Sequence, residues 1–368
     1  MKKFNCVSLF SGALGMDLGI ERAGFEIKLV LENDKNTIAT IKENRPHIPL
    51  IDRDIMQVSP NEILDKAGLK KNEVDLIIAG PPCQPFSTAG RRKALNDSRG
   101  SVFTKFVDIL DYIKPKYFVM ENVKGILSSA LKHRPIDKRD KLHPLTDEEV
   151  HGSVLRFILK EFERAGYGNV EPFVLNSANF GVPQKRERVF FIGNRIGKKI
   201  PMPEPTHSEG NKELPKWKTL GDAIKGLEKD KVEFTKTNGN LLKYMTMVKP
   251  GGNWRSLPPK VQLEAMGNAI KSGGGKTGYF RRLSFDKPSP TLTTSPAQKA
   301  TLLFHPTEDR VLAVEEYAAI QQFPENWKFV GGTSQKYKQI GNAVPVGLAE
   351  AVGKVVYRML CEDSNQLM

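Results

Sequence analysis

Three short stretches of this chain carry side chains whose types and spacing suit chemistry. Cys83 follows Gly80-Pro81-Pro82, Glu121 opens Glu121-Asn122-Val123, and Arg186 and Arg188 alternate within Gln184-Lys185-Arg186-Glu187-Arg188. Proline fixes φ and lacks an N–H, so the Pro-Pro turn continues neither a strand nor a helix. It ends the apolar run Leu76–Ala79 and holds Cys83 at the exit of that run. Two readings stand for this turn: a structural kink that happens to include a cysteine, or a reactive thiol at the carboxyl end of a buried strand, where open α/β sheets do their chemistry.

A second constellation suits a nucleoside. Phe10-Ser11-Gly12-Ala13-Leu14-Gly15 follows the first apolar strand signal, and a glycine turn there lets a ligand approach backbone at a helix N-terminus. Glu32 lies twenty residues after Gly12, at the end of the second strand signal, where a carboxylate can take the two hydroxyls of a ribose. Asp54 could accept a hydrogen bond from an adenine amino group. A dinucleotide fold places similar glycines against a pyrophosphate, but the spacing is not G-x-G-x-x-G. Glu32 with Asp54 points to S-adenosyl-L-methionine over NAD.

A thiolate, a proton-donating carboxyl and a methyl donor have one specific joint use. Carbon 5 of cytosine is a poor nucleophile. A thiolate adding to carbon 6 turns the ring into an enamine whose carbon 5 attacks a sulfonium methyl, and a carboxyl at N3 relieves the charge. A nearby cation such as Arg188 favours the thiolate. The base must first leave its stack.

The elements that position these groups alternate between strand and helix signals over the first two hundred residues. Strand signals fall at Asn5–Phe10, Phe25–Leu31, Val74–Ala79, Tyr117–Met120, Val170–Leu175 and Val189–Gly193. Between them, Phe103, Phe106, Val107 and Leu110 repeat with helical period, as do Leu155, Ile158, Leu159 and Phe162. This predicts an α/β fold with a doubly wound, mostly parallel, Rossmann-like sheet. From Ile196 the sequence turns irregular and rich in Pro, Gly, Lys and Asn; helical signal returns at Val314–Gln322 and Val346–Leu360. The reading is a catalytic and cofactor-binding domain over 1–195, a smaller recognition domain over 196–330, and a segment over 331–368 that packs back on the first. Residues 131–151 read as a polar, mobile surface insert.

The 368 residues carry 56 Lys and Arg against 42 Asp and Glu, a formal net charge of +14. That excess suits a polyanion such as nucleic acid, although a cationic surface also serves solubility alone. Only Cys6, Cys83 and Cys361 occur, too few and too far apart for a disulfide framework or a zinc site, and no metal is expected. No apolar run reaches membrane length and no signal peptide opens the sequence, so the expected place is the cytoplasm.

Taken together and in order, these motifs resemble those of bacterial DNA (cytosine-5)-methyltransferases of restriction–modification type. They run from Phe10-Ser11-Gly12, Glu32-Asn33-Asp34, Asp54-Ile55 and Gly80-Pro81-Pro82-Cys83-Gln84-Pro85-Phe86-Ser87 to Asp97-Ser98-Arg99-Gly100 and Glu121-Asn122-Val123. Gln184-x-Arg186-x-Arg188, Arg281-Arg282-Leu283 with Pro290-Thr291, and Gln339-Ile340-Gly341-Asn342-Ala343-Val344-Pro345 complete the set. The resemblance implies Cys83 as nucleophile, Glu121 at N3, Arg188 on the bound cytosine and Arg186 shaping the pocket. It implies S-adenosyl-L-methionine held among Phe10, Gly12, Ala13, Gly15, Glu32, Asp54, Ile55, Pro82, Asn342 and Val344. It implies Ser87, Arg91, Arg92 and Lys93 on a loop that meets DNA, a double-stranded DNA substrate, a separate cognate restriction endonuclease and a monomer. Leu14 departs from the family's second glycine and is expected to crowd the methionine part of the cofactor. An RNA cytosine-5 methyltransferase and an inactive DNA-binding relative are the alternatives. The first is disfavoured because only Cys83 is placed for chemistry, the second because Cys83, Glu121 and Arg188 are all present.

Overall fold

The computed structural model describes residues 3–82, 102–135, 139, 142–227, 232–237, 239–271, 273 and 275–366. Cys83, Ser87, Arg91, Arg92 and Lys93 lie outside the described residues. Among the described residues no helix is long and apolar enough to cross a membrane.

A seven-stranded sheet forms the frame. Its strands are β1 (Phe4–Leu9), β2 (Phe25–Leu31), β3 (Leu50–Ile51), β4 (Leu76–Ala79), β5 (Tyr117–Val123), β6 (Glu171–Asn176) and β8 (Glu187–Asn194), in the spatial order β3-β2-β1-β4-β5-β8-β6. The pairs β1–β2, β1–β4, β2–β3 and β4–β5 are parallel. β8 runs antiparallel to both β5 and β6. The order steps outward from β1 in both directions, so the doubly wound expectation holds, with β8 reversed.

Side-chain alternation along the strands feeds two cores. On one face Val7, Leu9, Ile77, Phe118, Met120 and Phe191 pack under α3 (Pro60–Ala67), α4 (Val102–Ile113) and α5 (Ser153–Arg164). On the other, Phe4, Cys6, Ile78, Val119, Phe190 and Ile192 pack under α1 (Gly15–Arg22) and α11 (Val346–Gln366). α1 and α11 make a close crossing: a Cβ on Gly19 would meet the Ala349 Cβ at 2.6 Å, so only glycine fits there. α2 (Lys35–Asn44) starts at Asp34, whose Oδ1 accepts from the N–H groups of Asn36 and Thr37 and so satisfies two helix-end donors.

A third core ties Ala13 and Leu18 of the first segment to α9 (Val314–Ile320) and α10 (Thr333–Asn342) through Tyr317, Ile320, Tyr337 and Ile340. A separate small core gathers Met245, Leu257, Met266, Phe280, Leu302 and Phe304. β7 (Gln184–Lys185) pairs with β9 (Ser289–Pro290), which brings residues near 290 back beside the main sheet.

The 131–151 insert is tied down where it is described. Arg134 donates through Nε and Nη2 to the two carboxylate oxygens of Glu149, at 3.0 and 2.6 Å, and through Nη1 to the His143 carbonyl. Thr146 N–H and Oγ1 donate to the same Glu149 carboxylate, which is held well below the usual range, at about 2, by these bonds. Within the described part of the insert, Glu149 thus gathers Arg134 and Thr146 into one set of bonds.

Candidate active site

A cavity of about 580 Å³ opens at the carboxyl ends of β1, β2, β4 and β5. That volume suits a nucleoside-sized ligand. The ten residues expected around a cofactor, from Phe10 to Val344, all line it, as do Glu121, Arg186 and Arg188. Sequence reasoning gave no place to Asp34, Thr37 and Lys338, which line it too. Lys338 Nζ donates to Asp34 Oδ2 at 3.0 Å and joins α10 to the start of α2. Asp34 stood within the Glu32-Asn33-Asp34 motif, but the partner on α10 was not legible.

The turn after β1 is shaped by backbone. Phe10 and Gly12 have φ of 57° and 55°, and a Cβ on Gly12 would meet open space. Ser11 N–H donates to the Leu31 carbonyl at 3.1 Å and Ser11 Oγ accepts from Leu31 N–H at 3.2 Å, which docks the turn on the end of β2. Leu14 also has positive φ, 68°, but its side chain is buried in the core beneath α11 and does not line the cavity. This corrects the expectation that Leu14 crowds the cofactor: the left-handed backbone at 14 turns the side chain inward.

Glu32 is oriented before any ligand arrives. Its Oε2 accepts from Gly12 N–H at 2.8 Å, and its Oε1 accepts from the N–H groups of Asn33 and Asp34 at 2.8 and 2.9 Å. Asp54 Oδ1 accepts from Met56 N–H at 2.9 Å and starts the short 3-10 turn over Ile55–Gln57. Both carboxylates are therefore fixed by main chain, with lone pairs left over for a nucleoside.

The reversed strand explains the arginines. An antiparallel strand begins where its parallel neighbours end, so Arg188, at the start of β8, and Arg186, just before it, lie at the carboxyl end of β5 and line the cavity there. Arg188 Nε lies 2.9 Å from Glu121 Oε1, with side chains 14% and 13% exposed. Burial pushes the Glu121 carboxyl above its ordinary range, while Arg188 and Arg186 pull it part of the way back. Burial also lowers Arg188, against the pull of Glu121. Burial thus favours the protonated carboxyl, the form that gives a hydrogen bond, more than it is favoured in water.

Arg186 is fully buried and committed to backbone: Nη1 donates to the Leu292 carbonyl at 3.0 Å and Nη2 to the Gly341 carbonyl at 2.9 Å. Burial pulls its guanidinium down to about 9, which still leaves it charged at neutral pH. It therefore braces the wall formed by residues 292 and 341. Gln184, also buried, supports it by donating to Gln321 Oε1 and accepting from Leu292 N–H.

A profile of the C-5 cytosine-specific DNA methylases matches residues 4–358. The chain is 40% identical to the Type II methyltransferase M.PspPI of Psychrobacter sp. (strain TA137), over 98% of this chain and 80% of that protein. It is 39% identical to the Type II methyltransferase M.Eco47II of Escherichia coli, over 97% of this chain and 79% of that protein. Among solved structures, a prophage-encoded protein of Escherichia coli assigned as a DNA modification methyltransferase superposes with a TM-score of 0.63 at 24% identity, over 97% of this chain and 99% of the other. Spodoptera frugiperda DNMT2 does so with 0.57 at 19%, over 96% and 99%, and these two likenesses speak for the fold. The sequence matches span nearly every motif that lines the cavity, and the chain belongs to the C-5 cytosine-specific DNA methylase family.

Proposed function

We propose that this chain methylates carbon 5 of one cytosine within a specific double-stranded DNA sequence, with S-adenosyl-L-methionine as donor and Cys83 as covalent nucleophile. The observation that carries the reading is the buried Glu121–Arg188 pair, which faces the same cavity as the Gly80-Pro81-Pro82 turn and the oriented Glu32 carboxylate. Bound S-adenosyl-L-methionine supplies an electrophilic methyl on a sulfonium.

The chain's own residues do the rest. The target cytosine leaves the duplex and enters the cavity. The Cys83 thiolate forms a bond to carbon 6 while protonated Glu121 donates at N3, so the ring's electrons collect at carbon 5. Arg188 holds Glu121 and offsets charge on the ring. Carbon 5 would take the methyl group that the bound donor supplies, with the carbon–sulfur bonding pair kept on sulfur. The carbon 5 proton then departs to solvent and leaves its electron pair to form the carbon 5–carbon 6 double bond, the Cys83–carbon 6 bond breaks with its pair on sulfur, and N3 returns its proton to Glu121. Glu32 and Asp54 hold the ribose and adenine of the donor; Phe10, Gly12, Ala13, Gly15, Ile55, Pro82, Asn342 and Val344 form the walls around it.

Residues 1–195 and 331–368 serve as the catalytic unit and 196–330 as the recognition unit, a division supported by the separate small core around Met245 and Phe304. Ser87, Arg91, Arg92 and Lys93 contact the DNA. The enzyme acts as a monomer in the bacterial cytoplasm and shields its sites from a cognate endonuclease.

The test is duplex DNA carrying 5-fluorocytosine at the target. Fluorine cannot depart as a cation, so a covalent protein–DNA adduct accumulates with the wild-type chain and donor, and none forms with Cys83→Ala, which still binds DNA. Methyl transfer by Cys83→Ala would sink the mechanism.

A further inference from the structure

The segment that returns to the cavity from residue 328 lies along α2 in a seam with two unlike ends. At the far end Asn44 Nδ2 donates to the Lys328 carbonyl at 2.7 Å, and Asn44 Oδ1 accepts from Lys328 N–H at 2.9 Å. Val330 N–H donates to Oγ1 of the buried Thr40 at 2.8 Å. An exposed ion pair between Lys328 Nζ and Glu43, at 2.9 Å, adds to these three bonds. The three bonds join neutral groups, so salt hardly weakens them. The near end, at the cavity, is joined differently. Lys338 on α10 reaches across to Asp34 at the start of α2, Nζ to Oδ2 at 3.0 Å, with side chains 51% and 30% exposed. An ion pair that open to solvent is weak and salt-sensitive.

Both ends of that bridge belong to cavity walls. Asn33, Asp34 and Thr37 line the cavity from the side of β2 and α2; Lys338, Gln339 and Asn342 line it from the side of α10. Gln339 is buried where Lys338 is half exposed, so the pair spans the solvent side of the cavity and not its floor. Asp34 is also tied to the carboxylate expected on the donor's ribose, since its N–H donates to Glu32 Oε1 at 2.9 Å. A bridge across the mouth must part before a nucleoside-sized ligand leaves past it. The neutral bonds along α2 keep the seam together while it does. We infer that the Lys338–Asp34 pair is a clasp on the donor. Lys338 is its moving part, and the pair sets how long the donor and S-adenosylhomocysteine, its form after transfer, stay bound. The inference rests on the donor reading above.

Release of S-adenosylhomocysteine tests it, because that molecule carries no net charge at neutral pH and its own binding depends little on salt. Lys338→Met keeps the stem and removes the charge. Asp34→Asn keeps an oxygen for the α2 cap and removes the charge on the other side. In a chase of labelled by unlabelled S-adenosylhomocysteine, each variant is expected to release it about twofold to fivefold faster than wild type, the worth of a partly exposed ion pair. The double variant releases it no faster than either single one, since all three lack the same pair. Wild-type release quickens between about 50 and 500 mM salt, and Lys338→Arg keeps that response. The two uncharged variants lose it, which mere loosening of the fold would not bring about. Lys338→Met releasing at the wild-type rate, or single effects that multiply in the double variant, would overturn the clasp. A wild-type chain that binds no S-adenosylhomocysteine would instead overturn the donor reading beneath it.

Discussion

Arg188 and Glu121 meet on a diagonal. The register partner of Arg188 across the β5–β8 ladder is Val123, and that of Glu121 is Phe190, yet Arg188 Nε reaches back along the strand to sit 2.9 Å from Glu121 Oε1. Diagonal neighbours on one sheet face are within reach of a long side chain. The guanidinium thus lies beside the carboxyl and leaves the carboxyl's second oxygen, Oε2, on the side of Gly80, where a Cβ would stand 3.7 Å away.

This geometry sets a pH dependence. On the proposed mechanism Glu121 must carry a proton to donate at N3, and burial raises its folded pKa despite Arg188 and Arg186. The competent fraction is full on the acid side and falls as pH rises through that raised value. Glu121→Gln keeps a donor that cannot transfer a proton. It should lower kcat by about two to four orders of magnitude and remove the Glu121 component of the alkaline limb of kcat/KM. A profile between about pH 5 and 9 checks both; an unchanged alkaline limb in Glu121→Gln would assign that limb to another group.

Leu14 gives a second prediction. Leu14→Gly relieves a left-handed residue, worth about 1 kcal/mol, but empties a buried position, a loss of about 2–4 kcal/mol. The variant should be less stable by about 1–3 kcal/mol in urea unfolding. Because the side chain faces the core, S-adenosylhomocysteine should bind within about twofold of wild type, which is under 0.5 kcal/mol. Calorimetric titration giving a tenfold tighter complex would restore the crowding idea.

Asp17 gives a third. It is 2% exposed on α1, and neither carboxylate oxygen has a hydrogen bond; the Ser8 hydroxyl beside it falls short of bonding geometry. Burial raises its pKa from 3.8 to about 7, with Ser8 and Arg45 opposing and Glu21 adding to the rise. The folded state therefore holds a proton that the unfolded chain releases between these values. Stability falls as pH climbs through that window and levels off above it, by a total on the order of 4 kcal/mol at most. Asp17→Asn should lose this slope and gain most over wild type above neutrality, with the advantage vanishing near pH 4, which denaturant titrations across that range would read. Equal slopes for the two chains would show that Asp17 stays ionised in the fold.

Much of this was legible in the sequence, for physical reasons that differ by element. β2 (Phe25–Leu31) and α2 (Lys35–Asn44) fall where period and caps put them, since Gly24, Asp34 and Pro46 punctuate them locally. The strand Val189–Gly193 was found as a strand, but its reversed direction was not, because direction depends on the connection and not on side-chain alternation. The ten residues expected around a donor come from ordered motifs, and they line one cavity. The inward turn of Leu14 was not, because it follows from φ at one residue, and the Arg134–Glu149 clamp was not, because its partners stand fifteen residues apart in a stretch without period.

The crossing of α1 and α11 bears on the order of synthesis. α1 emerges from the ribosome early, yet the apolar surface it shares with β1 and β5 stays open until residues 346–366 have been made. At about 5–20 residues per second, that leaves the face that carries Phe4, Cys6 and Ile78 exposed for about 15 to 65 seconds. The cavity at the carboxyl ends of the strands shares that schedule, since Asn342 and Val344 are part of its wall. The wall of that cavity and the cover of that face are thus completed together, by residues that lie more than two hundred positions after β5.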